Sequence, residues 1–194
     1  MELQLDLNKK YTYADYLTWL DDKRRELYNG FIRMMTPAPA MRHQGVLSEL
    51  HLEFGNFLRK KKDCKIFPAP FDVRLPVKGK KNEEIFTVVQ PDLTIVCDPD
   101  KLDSKGCIGA PDMVVEISSP STAKKDVEEK FLIYQEAGVK EYWIVHPHEH
   151  TVMVFLLDKS GKYQLKKMYA GDSKVEVNIF KGELIVDLLE VFRE

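Results

Sequence analysis

Three residues of this chain combine types and spacing that could do chemistry. Asp92 stands just before the apolar run Leu93–Cys97, and Glu116 stands inside the run Met113–Ile117. A packed strand should tolerate neither, because a carboxylate taken out of water is costly unless a cation or hydrogen bonds compensate. The third residue comes from the segment that follows. At about 100° per residue from Asp126 to Ala137, one face gathers Ile133, Ala137, Tyr134, Val127 and Phe131, with Lys130 in its middle. Glu128, Glu129, Gln135 and Glu136 point the other way, as does Leu132. Two carboxylates at adjacent strand ends can hold a hard divalent cation, Mg²⁺ or Mn²⁺. A lysine beside them can polarise an attacking water and stabilise charge on a phosphate. The same residues also fit a buried Lys–Glu pair plus a turn aspartate after Pro91, and placement alone leaves both readings open.

These groups need elements to position them. Thr12 with Asp15 forms a capping-box pattern opening a short helix through Tyr16, Trp19 and Leu20. Asn29-Gly30 between Leu27-Tyr28 and Phe31-Ile32 signals a hairpin. After Pro37-Ala38-Pro39 a long helix is expected over roughly 41–60. Its apolar stripe is Val46, Leu47, Leu50, Phe54, Phe57 and Leu58, and His43 lies on the same stripe. Lys60, Lys61 and Lys62 suit the negative pole of its dipole. Cys64 to Leu75 reads as a strand bent at Pro68 to Pro70, and Ile85–Val89 and Leu93–Cys97 as strands interrupted by Pro91. Asp98 to Gly109 reads as a mobile polar loop. Beyond the strand at 113–118 and a helix ending at Gly138, strands are expected at 142–145, 151–157, 163–169, 174–180 and 184–186. The pattern is that of an α+β (mixed α/β) protein, read as one domain over 1–194.

Composition narrows the class. The chain has 194 residues, 44% hydrophobic and 31% charged, as in an ordinary globular protein. A net charge of −2 argues against coating nucleic acid by bulk electrostatics but permits a local basic groove. Cys64, Cys97 and Cys107 form no CxxC pair, so three reduced thiols in a cytoplasmic protein are expected. There is no apolar run long enough for a membrane span, and no leader pattern. The loop around Gly79 lacks GxxxxGK[ST], and no GxSxG supports a covalent nucleophile. His146, His148 and His150 alternate, but Pro147 interrupts them, so a turn is the better account than a zinc site. Pro111-Asp112 lies about 13 Å before Glu116 along a strand and reads as a cap.

The block QPDLTIV followed by PDMVVEISSPSTAKKDVEEKFLIYQEAGVKEYWIV resembles the PD-(D/E)XK nuclease superfamily, specifically its Uma-type family of restriction endonucleases. His43-Gln44 and APFDVRL at 69–75 fit the same family, and the resemblance spans about residues 12 to 190. It implies a restriction-endonuclease-like core, a central mixed sheet flanked by helices, with an N-terminal hairpin and a β-rich C-terminal extension. Asp92 then matches the aspartate of the PD element and Glu116 the acid of (D/E)XK. Ser118 stands where the lysine should be, and Lys130 from the next helix takes that role. The implied activity is metal-dependent endonucleolytic hydrolysis of nucleic acid, with DNA the expected substrate. Asp92, Glu116 and the Ile117 carbonyl would hold Mg²⁺ or Mn²⁺, and Lys130 would help activate water. His43 would complete the metal sphere or orient water, the other reading being a hydrogen-bonded histidine at the core edge. Asp72 would either support the site or satisfy strand-edge backbone. Lys78, Lys80, Lys81, Lys124 and Lys125 are the candidate phosphate contacts, and a homodimer is expected. The rival readings are an inactive nuclease-fold protein that binds nucleic acid or regulates, and an interaction module whose acids are structural.

Overall fold

The computed structural model describes residues 4–35, 40–76, 84–118 and 123–193, with the side chains of 123–127 outside that description. Its first half runs α1 (Tyr13–Tyr16), β1 (Arg25–Tyr28), β2 (Phe31–Met34), α2 (Met41–Lys61), β3 (Lys65–Pro68), β4 (Val73–Arg74), β5 (Val88–Val89) and β6 (Leu93–Val96). The second half runs β7 (Leu102–Asp103), β8 (Gly106–Ile108), β9 (Met113–Ile117), α3 (Ala123–Ala137), β10 (Glu141–His146), β11 (Thr151–Leu157), β12 (Tyr163–Tyr169), β13 (Lys174–Glu176), β14 (Ile185–Asp187) and α4 (Leu188–Val191).

The strands form two six-stranded sheets and one small pair. The central sheet has the order β12-β11-β10-β9-β6-β3, and the second has the order β2-β1-β5-β4-β8-β7. In the central sheet only β9 and β10 run parallel, joined through α3. The chain passes from the central sheet to the second between β3 and β4. It returns between β5 and β6, through Gln90-Pro91-Asp92.

Both faces of β9 and β10 are covered, which is why they read as near-continuous apolar runs instead of alternating ones. Met113, Val115, Ile117, Trp143 and Val145 pack with the α2 stripe of Val46, Leu50, Phe54 and Leu58 and with the C-terminal elements. Phe54 meets Trp143 edge to face at 5.7 Å. Val114, Tyr142 and Ile144 face the other way, against Ile133 and Tyr134 of α3 and Val73 and Cys107 of the second sheet. A Phe54→Ala truncation in such a core costs about 3–5 kcal/mol.

The expected long helix, the hairpin turn at Asn29-Gly30 and the capping box of Thr12 and Asp15 are present. The first helix stops at Tyr16, short of Trp19 and Leu20, and the stretch Cys64 to Leu75 divides into β3 and β4 of different sheets. Four further expectations need correction. Asp98 to Gly109 holds a 3-10 turn at Pro99–Lys101 and the β7–β8 hairpin, whose second strand pairs with β4. Gln135 is buried, accepting the Tyr163 N–H at 2.9 Å. The strand expected at 174–180 stops at Glu176, and Asn178–Phe180 forms a 3-10 turn. Cys64 and Cys97 form a disulfide, leaving only Cys107 as a buried free thiol. Lys65 pairs with Val96, so the two cysteines stand at the next position of the β3–β6 register. That bridge removes the argument from reduced thiols for a cytoplasmic setting.

Candidate active site

Leu93 pairs with Val115, so the same antiparallel register carried one step further sets Asp92 beside Glu116 on one sheet face. Asp92 is fixed by backbone and by α2. Its Oδ2 accepts the Ile117 N–H at 2.7 Å and lies 3.3 Å from His43 Nε2. His43 comes from the first turn of α2 and is buried with its Nδ1 unpartnered. Burial pulls the His43 imidazole down, and the Asp92 carboxylate outweighs this, leaving its pKa above the ordinary value.

Glu116 is held from α3. Lys130 Nζ donates to its Oε1 at 2.9 Å, and the Tyr134 hydroxyl donates to the same oxygen at 2.5 Å. The i, i+4 spacing of Lys130 and Tyr134 aims both at one acid. Burial pushes the Glu116 carboxyl up to about 7; the Lys130 ammonium opposes this, and the Asp92 and Glu26 charges add to it. Burial works against the Lys130 charge, but Glu116 and Glu26 together hold its pKa well above the usual value. Burial and Glu116 likewise keep the Tyr134 hydroxyl protonated far above its ordinary range.

A third acid belongs to the cluster. Glu26 of β1, only 5% exposed, places Oε1 3.3 Å from Lys130 Nζ. It accepts the Gln90 backbone N–H at 2.7 Å and the Tyr28 hydroxyl at 2.8 Å. Gln90 continues the chain: its side-chain amide donates to Asp72 at 2.9 Å and accepts from Arg24 at 2.8 Å. Asp72 therefore meets the site through Gln90, with burial raising its pKa. A carboxylate inside the RELY strand was the signal for Glu26. It was easy to pass over, because one face of a hairpin strand is ordinarily wet.

Glu116 and Glu26 share the buried Lys130 ammonium, while Asp92 beside Glu116 pairs with His43, a crowding of carboxylates that a cation would relieve. The bonds to Asp92 fall on Oδ2 and those to Glu116 on Oε1. Among the described residues no donor reaches Oδ1 or Oε2. No group of three or more His, Cys, Asp or Glu side chains is placed to ligate a metal among the described residues. The groups here that could ligate a metal are two carboxylates and backbone, a set suited to Mg²⁺ or Mn²⁺, ions that keep several waters.

The other candidates separate. Asp112 is a cap, accepting the Cys97 N–H at 2.8 Å and Lys140 at 2.6 Å. His146, His148 and His150 do not converge: His146 meets Ser118, and His150 meets Arg42 and stacks on Phe192. Lys78, Lys80 and Lys81, and the side chains of Lys124 and Lys125, lie outside the described residues.

Residues 13–189 match the Uma2 family, described as "putative restriction endonuclease". The chain belongs to the Uma2 family. This Uma2 chain is 26% identical over 183 residues to an uncharacterized protein of Synechocystis sp. strain PCC 6803, covering 93% of this chain and 91% of that one. Its fold is that of a crystal structure described as "a putative nuclease belonging to DUF820" from Anabaena variabilis. There the TM-score is 0.73 at 21% identity, over 93% of this chain and 97% of that one.

Proposed function

We propose that this Uma2 chain is a metal-dependent endonuclease that hydrolyses phosphodiester bonds, with DNA as its substrate. The observation that carries the reading is the register setting Asp92 beside Glu116, with Lys130 of α3 bonded to Glu116. Asp92, Glu116 and the Ile117 carbonyl would hold Mg²⁺ or Mn²⁺, which when bound would supply Lewis-acid stabilisation of phosphoryl oxygen charge.

The chain's own residues divide the remaining work. Lys130 is held charged, so it cannot take a proton from water. It acts by donating, orienting the attacking water and stabilising negative charge that develops at phosphorus. Glu26 and Glu116 fix its ammonium from two sides, and the Tyr134 hydroxyl fixes the Glu116 carboxylate. His43 steadies Asp92 from α2. Lys78, Lys80, Lys81, Lys124 and Lys125 supply phosphate-backbone contacts, and the active form is a homodimer. No helix among the described residues is long and apolar enough to cross a membrane.

The experiment is incubation with mixed DNA and RNA, with and without Mn²⁺, for wild type and Lys130→Met. The wild type should cut DNA only with metal. Lys130→Met should bind Mn²⁺ with little change and cut orders of magnitude more slowly. Wild-type rates in a folded Lys130→Met protein would overturn the assignment. Sedimentation of the wild type tests the dimer.

A further inference from the structure

Next to the acids stands a polar pair that the proposed mechanism leaves unused. Glu116 pairs with Ile144 and Ile117 with Val145, so Ser118 and His146 stand at the next step of the same parallel register. Strand alternation puts both on the face of Glu116. Ser118 Oγ lies 2.6 Å from His146 Nδ1, and both residues are partly exposed. Arg42 Nε donates to the Pro147 carbonyl at 2.9 Å, drawing this end of β10 against the first turn of α2, where His43 stands. The pair stands at the same end of β9 and β10 as Glu116, beyond it along two parallel strands.

Ser118 Oγ lies within hydrogen-bond reach of His146 Nδ1 at 2.6 Å and of the Val145 carbonyl at 3.2 Å. In the tautomer in which the hydroxyl donates to Nδ1, the ring proton sits on Nε2 and that nitrogen is a donor. Two residues along a strand put Ser118 about 7 Å beyond Glu116, more than one hydrogen bond of about 3 Å spans.

We propose that Ser118 and His146 form a phosphate-binding pair, His146 Nε2–H donating to the phosphate that flanks the scissile one on the bound strand. This rests on the nuclease reading. Ser118 stands where the motif's lysine is missing, and in this pair its hydroxyl holds the ring's tautomer.

The test uses a short DNA duplex cut in Mn²⁺, and a series in which single linkages are replaced by neutral methylphosphonates. His146→Ala should raise KM about tenfold, the size of one hydrogen bond to a charged group. His146→Gln should recover part of the loss through its amide N–H, and Ser118→Ala should show a smaller rise. In the wild type, one methylphosphonate beside the scissile position should raise KM. In His146→Ala the same replacement should have no further effect, a position-specific signature that a packing role would not produce. If folded His146→Ala keeps the wild-type KM and the wild-type sensitivity at every linkage, the inference is overturned and the nuclease reading stands. If the wild type cuts no duplex, both fall together.

Discussion

The two ends of strands β9 and β10 carry buried acids that differ in one respect. At their amino ends stand Asp112 and Glu141. Asp112 gives one oxygen to the Cys97 N–H and the other to Lys140. Glu141 is fully buried; Oε1 accepts from Trp143 Nε1 at 2.8 Å and Asn178 at 3.0 Å, and Oε2 accepts from the Ile179 N–H at 2.8 Å. Every oxygen there has a donor. At the carboxyl end the half-buried Asp92 and Glu116 stand side by side, with donors from the described residues on one oxygen apiece. Burial alone therefore does not mark a site in this protein. The mark is burial with an oxygen left over and a like charge alongside.

The largest expected effect falls on the unfilled pair. Glu116→Gln should lower DNA cleavage by about a thousandfold or more, since a proposed metal ligand and the partner of Lys130 go together. Calorimetric titration should show weakened Mn²⁺ binding in the same variant. Equal Mn²⁺ affinity would place the metal elsewhere.

At the filled end the effect should move from activity to stability. Glu141→Ala strands the Trp143, Asn178 and Ile179 donors and should cost about 3–5 kcal/mol, read by urea unfolding. Cleavage per folded molecule should hold. A selective loss of activity at full stability would erase the contrast between the ends.

The pH dependence should sharpen the comparison further. Glu116 holds its proton to about pH 7 in the fold and to about 4.5 when unfolded. Its contribution is fully present below about pH 4.5 and is lost as pH rises through 7, an effect of up to about 3 kcal/mol without metal. His43, with its raised pKa, works in the same direction, stabilising at low pH and less so as pH rises through its folded value. Glu116→Gln should flatten most of this slope in chelator-treated protein. An unchanged slope would mean that Glu116 is ionised throughout.

Glu26 should show the smallest effect. Glu26→Gln keeps the shape and removes the second carboxylate from Lys130, so cleavage should fall by about tenfold. Mn²⁺ affinity should stay near wild type, because Glu26 is not among the proposed ligands. A variant that cuts at the wild-type rate would reduce Glu26 to a packing role.

How much of this was legible followed from local pattern. Asp92 and Glu116 stood out because a charge beside or inside a β-branched run conflicts with burial. Lys130 stood out because the helical period set it among apolar neighbours. Glu26 did not, since the hairpin gave no sign that its second face would be covered by another sheet. The β7–β8 hairpin was hidden in a polar stretch, because pairing with β4 and not side-chain propensity forms it. Gly106 shows the constraint: at φ 130°, a Cβ there would come within 2.2 Å of the Asp72 carbonyl oxygen. The Cys64–Cys97 bridge spans 33 residues and follows from strand register, which spacing in the sequence does not encode.

The passage through Gln90-Pro91-Asp92 has a consequence for how the protein comes to be active. Gln90 ties to Glu26 on one sheet, and Asp92 opens a strand of the other. Lys130 then bridges Glu26, near the amino terminus, to Glu116, far along the chain. Contacts of such long range form late, after their loops have closed. A nascent chain or a partly folded one would have its acids dispersed, with no cluster able to concentrate a cation. Catalytic competence would then be a property of the completed fold alone, so an unfinished chain would carry no cutting activity into its surroundings.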